Sequence, residues 1–373
     1  MNNITLILLL AFAIALILTI LVTPQIVKVA HELKLYDLPD SERKVHKLPI
    51  PRLGGVMFLP ILMATLTIMV VILIRLKMYD EIGRNMDIGH FMAFIAGAMM
   101  LYAVGMFDDI KEVPYKIKFI VQILAGVLLC VAGLWVADLS YVFFIREIPW
   151  WIGMPLTIHS VVYVTNAMNL IDGIDGLSSG LSIISLICLT FLLVITDQLF
   201  WAMLAITLMG VMCGFFYYNV FGKKDKTFMG DAGSLTLGFT LCFLLLRFWQ
   251  RDPVWNSALH NIGIVAASTL IIPLFDVTRV TLSRLRDHRP AFMPDKNHIH
   301  HKLMRAGLSP HMTMVTLLLL SVAFIVLNYV VASMSQTLMV IMDIALFTLM
   351  HIIINIFIYR KERETGIKWS RIF

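Results

Sequence analysis

Polar and apolar positions along this chain fall into long blocks instead of the short periods of a soluble fold. Apolar runs of about 16–24 residues recur, each at or near the length a helix needs to cross roughly 30 Å of hydrocarbon. Eleven can be marked: residues 4–27, 55–74, 90–107, 119–136, 151–166, 177–195, 199–218, 234–248, 262–280, 314–332 and 337–359. The pattern predicts an all-α polytopic membrane protein of about eleven transmembrane helices, in a single integral membrane domain over 1–373. The first run is too long, and too weakly basic at its start, for a cleaved leader, so it is counted as a span. An aromatic stretch at 137–150 reads as an interfacial belt with a short strand pair.

Composition agrees with the blocks. With 59% hydrophobic and only 14% charged residues, the soluble domains that this length would otherwise suggest are excluded. Placing the ends of the odd-numbered runs on one side gathers most of the 30 Lys and Arg residues there. The positive-inside rule then puts the N-terminus outside and the C-terminus and basic loops in the cytoplasm. Topology accounts for most of the net charge of +6. Cys130, Cys188, Cys213 and Cys242 lie in apolar runs without ligand-like spacing, and read as small core residues, not disulfides or a zinc site. No repeat, low-complexity tract or soluble domain interrupts the pattern.

The chemistry-bearing residues collect in the inner loops. NAMNLIDGIDGLSSG places Asn166, Asn169, Asp172 and Asp175 three residues apart, along one side of a coil. A charge held against a membrane costs at least about 2.5–3.5 kcal/mol on insertion scales, so such groups mark a site. A polar turn with Gly173 and Gly176 as helix stops explains the glycines but not the four acid and amide groups. In GMFDDIKEVPYKIKF, Asp108 and Asp109 precede Lys111, Lys116 and Lys118; adjacent carboxylates favour a divalent metal, a shared proton or a lysine partner. Asp231, between Gly230 and Gly233, stands at the head of the eighth run, where small residues admit a ligand and helix capping is the rival role.

The first inner loop, broken by Pro39, Pro49 and Pro51, is extended and carries Lys44, His46, Lys47 and Arg52 over the same face. The last inner loop follows Asp276 and Arg279 with a basic strip, Arg284, Arg286, His288 and Arg289, suited to phosphate. His298, His300 and His301 come next; with no Cys or fourth spaced His beside them, they read as donors to phosphate oxygens instead of a zinc site. His159 reads as a structural histidine. Asp343 and His351, in the last run, are satisfied by neighbours or hold a role of their own. Collected, the inner face offers hard oxygen ligands and cations, a set suited to metal-assisted chemistry on a diphosphate with a lipid substrate. A transporter is the rival from another class, but it predicts midplane groups and a pseudo-repeat, whereas these clusters share one boundary.

With these motifs in order, RKVHKLPIPRLGG, GMFDDIK with KIKFIVQ, NAMNLIDGIDGL, FMGDAGSL and PDKNHIHHKL, nearly the whole chain resembles the polyprenyl-phosphate N-acetylhexosamine-1-phosphate transferases. The HIHH arrangement resembles the branch that uses UDP-GlcNAc or a related UDP-N-acetylhexosamine, in glycosyltransferase family 4. The sister branch, phospho-MurNAc-pentapeptide transferase, has three contiguous histidines, which Ile299 interrupts here. The resemblance implies transfer of a sugar 1-phosphate from a UDP-sugar to undecaprenyl phosphate at the inner membrane of a bacterial cell, starting cell-envelope polysaccharide synthesis. It implies Mg²⁺, with Mn²⁺ as an alternative, held by Asp231 and, second, Asn169. It makes Asp108 the base toward the lipid phosphate with Asp109 supporting it. Asp172 and Asp175 would lie near the nucleotide, Lys47 and Lys118 at phosphates, and His298, His300 and His301 at the diphosphate or sugar. Its partners would be these substrates and membrane lipid, with no nucleic acid and room for a homodimer.

Overall fold

In a computed structural model of the protein, the structure describes residues 2–37, 50–250, 261–288 and 297–366; Lys44, His46, Lys47 and Arg289 lie outside the described residues. The chain opens with α1 (Asn2–Glu32), then β1 (Tyr36–Asp37) and β2 (Ile50–Pro51), and a 3₁₀ turn, Leu53–Met57, that runs into α2 (Phe58–Arg75). A single turn, α3 (Tyr79–Ile82), leads to α4 (Ile88–Ile110) and α5 (Tyr115–Val131). The hairpin β3 (Asp138–Val142) and β4 (Ile145–Glu147) precedes α6 (Trp150–Ile171), α7 (Leu177–Ile195) and α8 (Leu199–Phe216), and a π turn, Tyr217–Phe221, extends α8. After α9 (Gly230–Leu246) come α10 (Ile262–Ser268), α11 (Ile271–Arg286), α12 (Ile299–Arg305), α13 (Pro310–Val330) and α14 (Gln336–Thr365).

The fold is helical as expected, with two antiparallel pairs added. β3–β4 is the strand pair anticipated over 137–150, and β1–β2 closes the ends of the first inner loop. Among the described residues, eight helical segments are long and apolar enough to cross a membrane, or nine if α10 and α11 form one broken span. The ninth apolar run is therefore not one straight rod, because its two helices meet at 72°. The hydroxyls of Ser268 and Thr269 bond back to Val265 and Ala266 carbonyls at 2.7 and 2.8 Å, and Ser185 reaches the Thr269 carbonyl at 2.9 Å. Freed backbone groups at the break are thus satisfied by side chains, as a membrane interior demands. The fourth and fifth runs do form helices, but neither meets the same measure of length and hydropathy. α5 spans only about 26 Å at 1.5 Å per residue, and α6 is diluted by Thr157, Ser160, Thr165, Asn166 and Asn169.

The bundle is organised around α9, apolar all round and 94% buried over its most apolar stretch, against 28% for α1 and α14. Small residues bring its neighbours to backbone distance. A Cβ on Gly55 would fall 2.2 Å from the Gly233 Cα, and one on Gly105 2.6 Å from the Ala232 Cα. Close approach of this kind is how helices associate without a hydrophobic driving force between them. Farther along, Phe94 of α4 stacks on Phe239 with centroids 6.0 Å apart. The segment before the 3₁₀ turn is zipped to the strand-like approach to α9: Phe228 N–H donates to the Pro51 carbonyl (2.8 Å), Gly54 to Phe228 (3.0 Å) and Gly55 to Met229 (2.8 Å). That ladder lays the RLGG motif along FMGDAG and brings the exit of the first inner loop to the head of α9.

Candidate active site

Four helix ends meet at the head of α9. α4 contributes Asp108 and Asp109 in its last turn, α5 contributes Lys118 in its first, α6 contributes Asn166 and Asn169 near its end, and α9 contributes Asp231 in its first turn. The Lys118 ammonium lies between two carboxylates, 2.8 Å from Asp231 Oδ2 and 3.2 Å from Asp108 Oδ2. On the other side of Asp231, Asn169 Nδ2 donates to Oδ1 (2.9 Å) and to Ser234 Oγ (2.8 Å). Asp108 also accepts from the Val113 N–H at 2.8 Å, which fixes it to the turn leaving α4.

Asp109 does something different. Its two oxygens accept the N–H groups of Asp231 (2.8 Å) and Ala232 (3.0 Å), so a carboxylate from α4 satisfies donors that α9 leaves open at its start. Gly230 makes this approach feasible. Its φ is +68°, and a Cβ there would lie 2.7 Å from both Asp109 oxygens and 2.3 Å from the Arg52 carbonyl. Capping was the rival role for Asp231; here Asp109 performs that service and leaves the Asp231 carboxylate to face Lys118 and Asn169.

One turn deeper, Asn166 Nδ2 donates to Gln122 Oε1 at 2.7 Å, locking α5 to α6 just below Lys118 and Asn169. Past the end of α6, Asp172 completes the acidic patch. Burial first, and then the carboxylates of Asp175, Asp231 and Asp109, push its carboxyl up from 3.8 to about 7. Asp175 itself pairs with Lys226 at 2.5 Å, and Asn219 holds this turn by accepting from the Gly176 N–H (2.6 Å) and donating to the Thr227 carbonyl (2.9 Å).

The sign of the Asp172 shift makes a prediction. A carboxyl whose folded value is raised above its unfolded one holds its proton more tightly when folded, so stability is complete below about pH 4 and is lost as pH rises through about 7. The melting temperature of metal-free protein in detergent should fall between about pH 4 and 7, and Asp172→Asn should lessen that slope. A slope unchanged in the variant would assign the loss to other groups.

The histidine segment reaches this site from behind. Asp276 of α11 is buried and accepts from His298 Nδ1 (2.9 Å), Arg279 (2.8 Å) and the Ile299 N–H (3.0 Å), anchoring the start of α12. His300 is almost fully enclosed, and neither ring nitrogen has a hydrogen-bond partner among the described residues. A Cβ on Gly173 would fall 2.3 Å from His300 Nε2, so the imidazole rests on the backbone beside Asp172. Burial, then His301 and His298, holds the His300 pKa well below 6.5, making it a neutral donor or acceptor near pH 7. His301 packs on it with ring centroids 4.2 Å apart. Outside the site, His159 stacks on Tyr163 at 5.7 Å and Asp343 accepts from Asn328 at 2.9 Å.

Asp108, Asp109, Asn169, Asp172, Lys118, Asp231 and His300 are thus brought together, Asp175 and His301 border them, and His298 is turned to Asp276. Lys47 lies outside the described residues. Ser234, Gln122, Asn219 and Lys226 were not singled out from the sequence, and only the three-residue step from Asp231 to Ser234 signalled any of them.

The donor set consists of hard oxygens around one ammonium. Among the described residues no three His, Cys, Asp or Glu side chains form a ready-made metal cage. An open set of this type fits magnesium, which takes one or two carboxylates and completes its shell from water and phosphate.

Comparison with known proteins reaches the same region. The model of glycosyl transferase family 4 matches residues 91–248, from α4 to the end of α9. Over 93% of the chain and 91% of its own length, a Bacillus subtilis protein named a probable undecaprenyl-phosphate N-acetylglucosaminyl 1-phosphate transferase is 30% identical. Undecaprenyl-phosphate alpha-N-acetylglucosaminyl 1-phosphate transferases of Yersinia pestis and Escherichia coli strain K12 are 34% and 32% identical, each covering 78% of this chain and 75% of their own length.

Proposed function

This chain belongs to glycosyl transferase family 4, and we propose that it transfers N-acetylglucosamine 1-phosphate from a UDP-sugar to undecaprenyl phosphate, releasing UMP. The acceptor and the transferred group are those named for its relatives. The observation that carries the reading is the Asp108–Lys118–Asp231–Asn169 cluster, a phosphate-handling arrangement at the mouth of apolar helices. The N-terminus is placed outside and the cluster at the cytoplasmic face of a bacterial plasma membrane, in keeping with the basic residues around it.

In the transfer, an oxygen of the lipid phosphate forms a bond to the phosphorus that carries the sugar. The bond from that phosphorus to the uridine phosphate breaks, and UMP leaves with its electron pair. A phosphate oxygen is already nucleophilic near pH 7, so Asp108 serves to take up a residual proton and to orient the acceptor. Asp231 and Asn169 would hold Mg²⁺, Asn169 turning its amide to present Oδ1, and the ion would supply charge neutralisation on the diphosphate. Lys118, already held between Asp108 and Asp231, is positioned to pass to a phosphate oxygen as charge builds there. Lys47 is assigned to the same phosphates, Asp172 and Asp175 to the nucleotide, and His300 and His301 to the diphosphate or sugar, with His298 holding their helix.

Purified protein given UDP-GlcNAc, Mg²⁺ and undecaprenyl phosphate should release UMP, and chelation should stop it. Silence with that donor and turnover with UDP-MurNAc-pentapeptide would overturn the assignment. Asp108→Asn should lose at least about 100-fold in turnover while UDP-sugar binding changes little, as expected for a group acting on the other substrate. Equal losses in both would mean that Asp108 is structural.

A further inference from the structure

An apolar groove of about 420 Å³ lies between α12, α13 and α14, away from the carboxylate cluster. Leu303 of α12 and Ala306 just past its end form one wall, Leu320 of α13 another, and Leu346, Met350 and Phe357 of α14 the third. The α14 residues follow one face of the helix, and Lys361 continues that face one turn past Phe357. The Lys361 ammonium lies over Gly307, where an added Cβ would come within 2.1 Å of Nζ. The last turn of the short helix that walls the groove carries Lys302, whose ammonium donates to Asn355 Oδ1 of α14 at 2.9 Å, and Arg305, which donates to Asn297 Oδ1 at 3.3 Å. Helix C-termini attract cations unaided, but three of them at one end of an apolar channel complement a particular kind of molecule. Lys302 is crowded: burial, and then Arg279 and Arg305, bring its ammonium down to about 8.

We propose that this groove is a site for an anionic phospholipid of the leaflet that bears the active site, with an acyl chain between α12, α13 and α14 and the phosphate at Lys361, Lys302 and Arg305. A chain with an anionic head satisfies both halves of the surface at once. The prenyl acceptor suits it less. The phosphate of that substrate must reach Asp108 and Asp231, whereas Arg305 lies about 8 Å along the α12 axis from His300 and Lys361, over Gly307, lies beyond it. α12 is shared between the two places: His300 at its start rests on Gly173, and Leu303 and Ala306 nearer its end line the groove. A lipid seated there braces the helix that carries His300, so it also tunes the transfer reaction.

Native mass spectrometry of the full chain, equilibrated with equal amounts of phosphatidylglycerol and phosphatidylcholine, tests the site without recourse to activity. Retained phosphatidylglycerol should exceed phosphatidylcholine at least about fivefold, and Leu349→Trp, which fills the groove, and Lys361→Glu should each remove that excess. Lys361→Glu, a polar-for-polar change in the last turns of α14, keeps the test open should the tryptophan variant fail to fold. Equal retention of both lipids, or an excess untouched by both substitutions, would overturn the proposal. So would displacement of phosphatidylglycerol by undecaprenyl phosphate in wild type but not in Lys361→Glu, which would make the groove the acceptor's own.

Discussion

Asp231→Asn should reduce UMP release by at least about 10²–10³-fold while the protein still inserts and melts as the wild type does. The size follows from what a single preorganised charge contributes where charge builds on a reacting phosphate. Asp231 is the point at which the cluster's contacts converge, with Lys118 at 2.8 Å on one oxygen and Asn169 at 2.9 Å on the other. Asparagine fills the same space but removes the negative charge, leaving Lys118 with Asp108 alone and the proposed Mg²⁺ site with one carboxylate fewer. Raising Mg²⁺ should therefore recover only part of the loss. Turnover with undiminished Mg²⁺ dependence in this variant would remove Asp231 from the metal-holding role.

Asp109→Ala should be the most damaging change in stability and should abolish transfer as well. The Asp109 carboxylate is the acceptor for the Asp231 and Ala232 N–H groups, and each buried donor left without a partner costs about 1–3 kcal/mol. A loss of roughly 2–6 kcal/mol is expected, read as a melting temperature lower by several degrees in detergent. Asp109→Asn keeps one acceptor oxygen and should fall between. Asp108→Asn, by contrast, should melt normally, because Asp108 accepts only one backbone N–H and otherwise faces Lys118. If Asp109→Ala melted with wild type, the carboxylate would not be what holds the head of α9, and its role would have to be sought in the chemistry.

Two neighbouring aspartates therefore do unlike work, and this is where sequence reading met its limit. That Asp108, Asp109, Asn169, Asp172 and Asp231 would share a place was legible, because charges at the inner ends of apolar runs have one boundary at which to meet. Which of two adjacent acids faces the pocket depends on how α4 is rotated against α9. That rotation is set by Gly105 on Ala232 and by the left-handed Gly230, contacts between residues more than 100 positions apart. The histidines divide in the same manner. His298 turns to Asp276 and His300 to Gly173, a split decided by the packing of α11 and invisible in HIHH. The break between α10 and α11 was hidden for another reason: an apolar run reports what surrounds a segment, not whether the segment is straight.

The ladder that joins Pro51 to Thr227 and Phe228 sets the earliest moment at which the head of α9 can be fastened. Its two sides are 176 positions apart, so at roughly 5–20 residues per second the first side waits on the order of 10–35 seconds for the ribosome to deliver the second. Until then the membrane-inserted fragment holds Asp108, Lys118 and Asn169 without the aspartate they converge on. A chain whose translation stalls ahead of α9 therefore lacks Asp231 and His300 together, and the carboxylates, amide and ammonium already in the membrane have nothing to close around.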